Sequence, residues 1–178
     1  IPTVDLAING GVFAVCAGTE VTLTADATGA AEYTWSPGNE KTAAITIIPS
    51  TTATYKVTVK STNGCSAEAS QELTVHPLPV LVWNQKPGVL SAGGSGTWSV
   101  NLDLSTTQPY TYTWKRNSDE PIQSDQSSFR LTDAQMPEEN LAVYVTDANG
   151  CRSEEIADKA TVMPMGGELV LNVTAADE

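Results

Sequence analysis

Residues 55–65 read YKVTVKSTNGC, and residues 141–151 read LAVYVTDANGC. Aligned without a gap, Tyr55, Val57 and Val59 fall on Leu141, Val143 and Val145, and both runs end in Asn-Gly-Cys. Apolar residues at every second position put one face of an extended strand against a core and the other toward water. Asn-Gly after such a run is the strongest short hairpin signal, because both residues tolerate positive φ. The two stretches therefore predict the next-to-last strand and the closing turn of two related β units.

The repeat extends outward from there. YTWSPG (33–38) matches YTWKRN (112–117), which puts Trp35 and Trp114 in register. Val21 and Leu23 stand before Trp35 at the spacing at which Val100 and Leu102 stand before Trp114. Both copies close on Val-x-Pro, at Pro77 and Pro164. Period-2 alternation recurs at Ala25, Tyr33, Ile45 and Ile47 in copy one, and at Trp98, Leu104, Tyr110, Tyr112, Phe129 and Leu131 in copy two. About seven short strands per copy, divided by Gly, Pro and Asn turns, predict an all-β chain of two tandem antiparallel β-sandwiches. The best helical candidate, EEIADKA (154–160), is short.

The expected organisation is a sandwich over 1–77, a second over 78–164, and a segment 165–178 that is either a tail or the first strand of a further module. The alternation of Leu169, Leu171 and Val173 favours the strand. HPLPV (76–80) reads as a short, stiff Pro-rich linker, since proline fixes φ and lacks a donor.

Lys and Arg number 9 against 21 Asp and Glu, for a formal charge of −12. Such a chain repels nucleic acid and anionic membrane surfaces. No run approaches the roughly 20 apolar residues of a spanning helix, so direct membrane insertion is not expected. Any signal peptide would lie upstream of Ile1.

Three cysteines serve two Asn-Gly-Cys turns. Bonded, Cys16 and Cys65 would tie a hairpin tip to the entrance of the second strand. Counting back from Trp114 by the Cys16–Trp35 spacing gives Ser95, so copy two lacks the first cysteine and leaves Cys151 as a free thiol. A buried bystander is the favoured reading of Cys151, and an intermolecular disulfide the second.

Residues 15–79 resemble the immunoglobulin-like and PKD-like modules repeated in large secreted and surface proteins of Bacteroidetes-type bacteria. The resemblance rests on Cys-Ala-Gly before a Val-Thr-Leu strand, YTWSPG, the Thr-rich PSTTATYKVTV, the Asn-Gly-Cys turn and the closing VHPLP. It is weaker over 80–164, where the first Cys and the Ser-Pro-Gly are missing. It implies Ig-like sandwiches, a Cys16–Cys65 disulfide, export to the cell surface or medium, and a role as stalk or adhesive unit beside other domains of the same protein. It implies no catalytic site and no cofactor.

Candidates for chemistry are few. The single histidine, His76, sits in the linker. SAGGSGTW (91–98) is Gly-rich but precedes a strand, not the helix N-terminus that a phosphate site uses. Glu138-Glu139 and Glu154-Glu155 point to opposite faces of extended chain and read as solvated surface. Calcium takes six to eight oxygens, several from one loop. SDEPIQSD (118–125), with Asp119, Glu120 and Asp125, is the best metal candidate, with Asp133 and Asp147 as outlying members. Tyr144 falls out of phase with Val143 and Val145, and Trp83 lies near the linker; both are candidates for an interdomain contact or for stacking on a surface glycan. The alternatives to a spacer are thus a glycan-binding module and a calcium-stiffened adhesin.

Overall fold

In a computed structural model the chain is described over residues 1–8, 11–103, 106–135 and 137–165, with Leu6 and Ile8 described by backbone alone. The strand expected at Leu169 to Val173 and the expected core residue Leu104 lie outside these residues. The alternating stretches form strands, and the described residues contain no helix. EEIADKA contributes to a strand.

Two units separate by their contacts. The first gathers Ile1–Val80 with Asp103–Tyr110 and Thr146–Ser153; the second gathers Leu81–Leu102, Thr111–Val145 and the chain from Glu154 on.

Copy one supplies β1 (Thr3–Ile8), β2 (Ala14–Cys16), β3 (Val21–Thr28), β4 (Glu32–Ser36), β5 (Ala44–Ile47), β6 (Ala53–Lys60) and β7 (Ser66–His76). They form a three-stranded sheet, β1-β3-β5, and a four-stranded sheet, β2-β7-β6-β4. The apolar faces of both meet on Val21, Leu23, Trp35, Val57, Val59 and Leu73, all fully buried. The Trp35 indole is anchored as well as packed, since its Nε1 donates to the Thr42 carbonyl at 2.8 Å. A buried indole N–H left without an acceptor would cost stability.

Copy two supplies β8 (Leu81–Gln85), β9 (Val89–Ser91), β10 (Gly96–Leu102), β11 (Thr111–Arg116), β12 (Ile122–Ser124), β13 (Ser128–Leu131), β14 (Glu138–Thr146) and β15 (Ile156–Met163). The sheets are β13-β10-β8 and β12-β11-β14-β15-β9. Their orders match those of copy one, with β12 added at an edge. Trp98, Trp114, Leu141, Val143 and Val145 form the core. Trp98 donates from Nε1 to Asp158 Oδ2 at 2.9 Å, and Trp114 lies against Trp83 and Phe129.

The sheets are not purely antiparallel. β2 runs parallel to β7, and β9 parallel to β15. In each copy the first strand leaves its sheet partway and joins the other. Copy one turns near Gly11, at φ +108°, and copy two breaks at Lys86-Pro87-Gly88. Proline and positive φ interrupt a ladder, so the second half is free to cross to the facing sheet.

The Asn-Gly turns are tight, as expected, but only one residue of each pair uses positive φ. Gly64 N–H donates to Ser61 O at 2.9 Å and Ser61 N–H to Cys65 O at 2.8 Å; Gly150, Asp147 and Cys151 repeat this at 3.0 and 3.0 Å. Only the glycines have positive φ, +79° and +78°. Each is a three-residue loop that closes on a left-handed glycine. No atom lies within 4 Å of a Cβ built at either glycine. The penalty for Gly64→Ala or Gly150→Ala is therefore conformational alone. Each variant is expected to lose about 1–2 kcal/mol in chemical denaturation, and an unchanged midpoint would refute the turn assignment.

Candidate functional site

The site is built around the cysteines, and the bond differs from the expected one. Cys16 ends β2 opposite His76, the last residue of β7. Cys65 immediately precedes Ser66, the first residue of β7. That strand has 11 residues. At about 3.3 Å per residue it holds Cys16 and Cys65 roughly 35 Å apart, whereas bonded cysteines have Cα atoms within about 7 Å. Cys16 is instead bonded to Cys151, with Cα atoms 5.5 Å apart. Cys65 is the free thiol, and it is exposed. The expected Cys16–Cys65 pair and the expected free Cys151 are both corrected. The expectation puts Cys16 at the hairpin-tip end of β3, whereas the residue before β3 lies at the far end of β7.

Both cysteines of the bond belong to the first unit. The Cys151 turn is held there by several contacts. Asp147 Oδ1 accepts the N–H groups of Asn149 and Cys151, each at 2.9 Å. Ala148 N–H donates to Thr107 O at 3.1 Å, and the Asn149 side chain donates to Thr107 Oγ1 at 3.3 Å. Asp147 is buried, and its Oδ2 has no hydrogen-bond partner. Cys151 is fully buried. In copy one Ser61 takes the place of Asp147, and its turn residues 62–65 are all exposed.

The loop that carries Cys16 also has a counterpart in copy two. Ala17 N–H donates to His76 O at 2.8 Å, Gly18 N–H to Pro49 O at 3.0 Å and Thr19 N–H to Cys16 O at 3.1 Å. Ala92 N–H donates to Met163 O at 2.8 Å, Gly93 N–H to Ala134 O at 2.9 Å and Gly94 N–H to Ser91 O at 2.8 Å. Gly18 and Gly93 share positive φ, +79° and +69°. Ser91 therefore stands where Cys16 stands, not Ser95. Spacing to the tryptophan misplaced it because the connection from β10 to β11, residues 103–110, is longer than that from β3 to β4, residues 29–31.

Glu139 is the principal polar residue that the sequence misplaced. It is not solvated surface: it is 1% exposed, while Glu138 pairs with Lys159 outside. Arg116 Nε and Nη2 donate to its two oxygens at 2.9 and 2.7 Å. Asn117 Nδ2 and the Gln135 N–H complete the shell at 2.9 and 2.5 Å. The Arg116 guanidinium holds the Glu139 carboxyl below its ordinary range, and burial opposes this without reversing it. The signal was available: Glu139 occupies a core-facing position one residue out of step with Glu138.

The other candidates separate. Asp119, Glu120 and Asp125 are exposed, and β12 lies between Glu120 and Asp125. Asp147 serves the turn, and Asp133 offers its carbonyl to Arg116 at 3.0 Å. Among the described residues no three His, Cys, Asp or Glu side chains group as a metal site. Trp83 packs on Trp114, with centroids 6.4 Å apart. Tyr144 lies on the outer sheet face beneath Lys115, whose Nζ is 5.4 Å from the ring centroid. The two rings do not form a shared platform. Beside Tyr144, Ala142 and Ala157 face each other across β14 and β15, in a depression also lined by Lys115, Asn140, Glu155 and Lys159. His76 belongs to β7, not to the linker, and its carbonyl receives Ala17 N–H.

The PKD domain family model matches residues 5–76. No curated protein sequence matches the chain. Among solved structures, the titin I-band fragment I67–I69 is 13% identical, with 92% of this chain and 65% of that one covered and a TM-score of 0.51. The Clostridium thermocellum CbhA fibronectin(III)-like modules are 11% identical, with 98% and 100% covered and a TM-score of 0.45. The Sidekick-1 immunoglobulin domains 1–5 are 13% identical, with 92% and 39% covered and a TM-score of 0.43. The fold is that of Ig-like modules, and copy one is PKD-like.

Proposed function

We propose that these modules are non-catalytic spacer and interaction units of a large exported bacterial surface protein, of the Bacteroidetes type suggested by the Cys-Ala-Gly, YTWSPG and Asn-Gly-Cys motifs. The observation that carries this reading is the Cys16–Cys151 disulfide. Structural disulfides form and persist in oxidising compartments and are rare in reducing ones. Ig-like and PKD-like modules are generally non-catalytic and sit in multidomain proteins, which fits other domains of the same protein as first partners. The described residues contain no helix long and apolar enough to cross a membrane.

The glycan-binding alternative needed an exposed aromatic platform, and Trp83 is packed against Trp114. The calcium alternative needed converging carboxylates, and its candidates are split by β12. The spacer reading is therefore preferred.

Surface location is tested on intact cells that produce the protein. A membrane-impermeant, lysine-directed label is expected to modify exposed Lys41, Lys60 and Lys159. Labelling only after lysis would overturn the assignment.

A further inference from the structure

Each copy carries two half-sites of one crosslink. One is the Cys-Ala-Gly loop at 16–18, repeated as Ser-Ala-Gly at 91–93 with the same three backbone hydrogen bonds. The other is the Asn-Gly-Cys turn at 63–65, repeated at 149–151 with the same two. One pairing is made: the turn of copy two bonds to the loop of copy one through Cys151 and Cys16. Two half-sites are left over, the thiol of Cys65 and the hydroxyl of Ser91, both exposed. Within unit one the two half-sites lie at opposite ends of β7.

We infer that Cys65 is the docking cysteine for another module of this kind, one whose Cys-Ala-Gly loop keeps its cysteine. The turn around Cys65 has the geometry of the turn that makes this bond at Cys151, in the same molecule. Ile1 and Pro2 line one cavity with Ser61, Asn63 and Cys65, so the turn sits where the chain enters copy one. A tandem array would then carry one crosslink per junction, each running from the turn of one module to the loop of its neighbour. Ser91 marks a module whose loop cannot receive a crosslink. The inference extends the spacer reading and rests on it for the presence of further modules, but its test needs no cellular location.

The chemistry requires an oxidant, and a low-molecular-weight disulfide supplies it. The Cys65 thiolate attacks one sulfur of that disulfide and releases one thiol. The partner cysteine's thiolate then attacks Cys65 Sγ and releases the second. Two thiol protons pass to the two released thiolates, and the disulfide is reduced as the protein is oxidised.

The test installs the missing half-site with Ser91→Cys in the full chain. With glutathione disulfide, chains of this variant are expected to join head to tail through Cys65 and the thiol installed at position 91. Random pairing of two exposed thiols gives one part each of the symmetric bridges and two parts of the mixed bridge. Directed docking raises the mixed bridge ~10-fold over the symmetric ones, through effective concentration. Non-reducing peptide mapping counts the bridges. A head-to-tail fusion of two full chains, with Ser91→Cys in the first, provides the second arm. A mixed bridge in the fusion alone assigns the partner to the same polypeptide, and a mixed bridge in both arms extends it to separate chains. A statistical mixture, or thiols left free at Cys65 and at position 91 in both arms, overturns the inference. The intact Cys16–Cys151 bond in each variant reports that the modules have folded.

Discussion

Pulled from its two ends, the oxidised chain is expected to hide roughly 45–50 nm of its extended length, released only on reduction. The load enters through β1, reaches Cys16, passes through the disulfide and leaves from Cys151 through β15. The residues between, a sequence separation of 135, carry no tension while the bond holds. Extended chain spans at most about 3.3–3.6 Å per residue, which gives the length stated. Force spectroscopy with and without reductant measures it directly. Cys151→Ser should behave as reduced protein does, and Cys65→Ser as the parent. Full-length extension of the oxidised parent would contradict the pairing. The same closed loop is worth at most about 5 kcal/mol through unfolded-state entropy. For a spacer, the bond acts as a load path as well as a staple.

Removing the Glu139 carboxylate is expected to cost about 3–5 kcal/mol, the range for leaving one member of a buried ion pair uncompensated. Glu139→Ala strands Arg116, Asn117 Nδ2 and the Gln135 N–H together, and denaturant titration would show the loss. The pH dependence has a definite sign. Because Glu139 is held below the ordinary carboxylate value of 4.5 in the folded state, its contribution is complete above that value. It is lost as pH falls through the lowered folded pKa. Glu139→Gln should therefore reduce the acid sensitivity of stability below about pH 4.5. An unchanged acid limb, or a loss under about 1 kcal/mol in Glu139→Ala, would refute the buried pair as a structural element.

The strands were legible because a half-buried strand writes its burial into the sequence at period two. Val57 and Val59, and with them Val143 and Val145, were readable as core from the alignment alone, and all are fully buried. Trp35 and Trp114 were placed by the same logic. The disulfide was not legible, because cysteine pairing depends on which ends of strands meet. Nothing in local periodicity states that β2 runs parallel to β7 and ends at His76. The first strand's crossing between sheets decides this, and its signal is only a Gly or Pro break. Ser91 was missed because spacing is a poor guide across a loop of unequal length. Glu139 was missed because adjacency to Glu138 suggested surface, while its strand phase pointed inward. Trp83 looked spare because it lies near the linker, although it shares the inward phase of Leu81 in β8 and packs on Trp114.

The central claim is the connection between Cys16 and Cys151. It is tested by alkylating the native, non-reduced chain, digesting it, and mapping the linked and alkylated cysteines by mass spectrometry. The expected result is one crosslinked peptide pair containing Cys16 and Cys151, with the alkyl group on Cys65. A pair containing Cys16 and Cys65, with the alkyl group on Cys151, would contradict the β7 geometry, the load path and the docking role of Cys65 together.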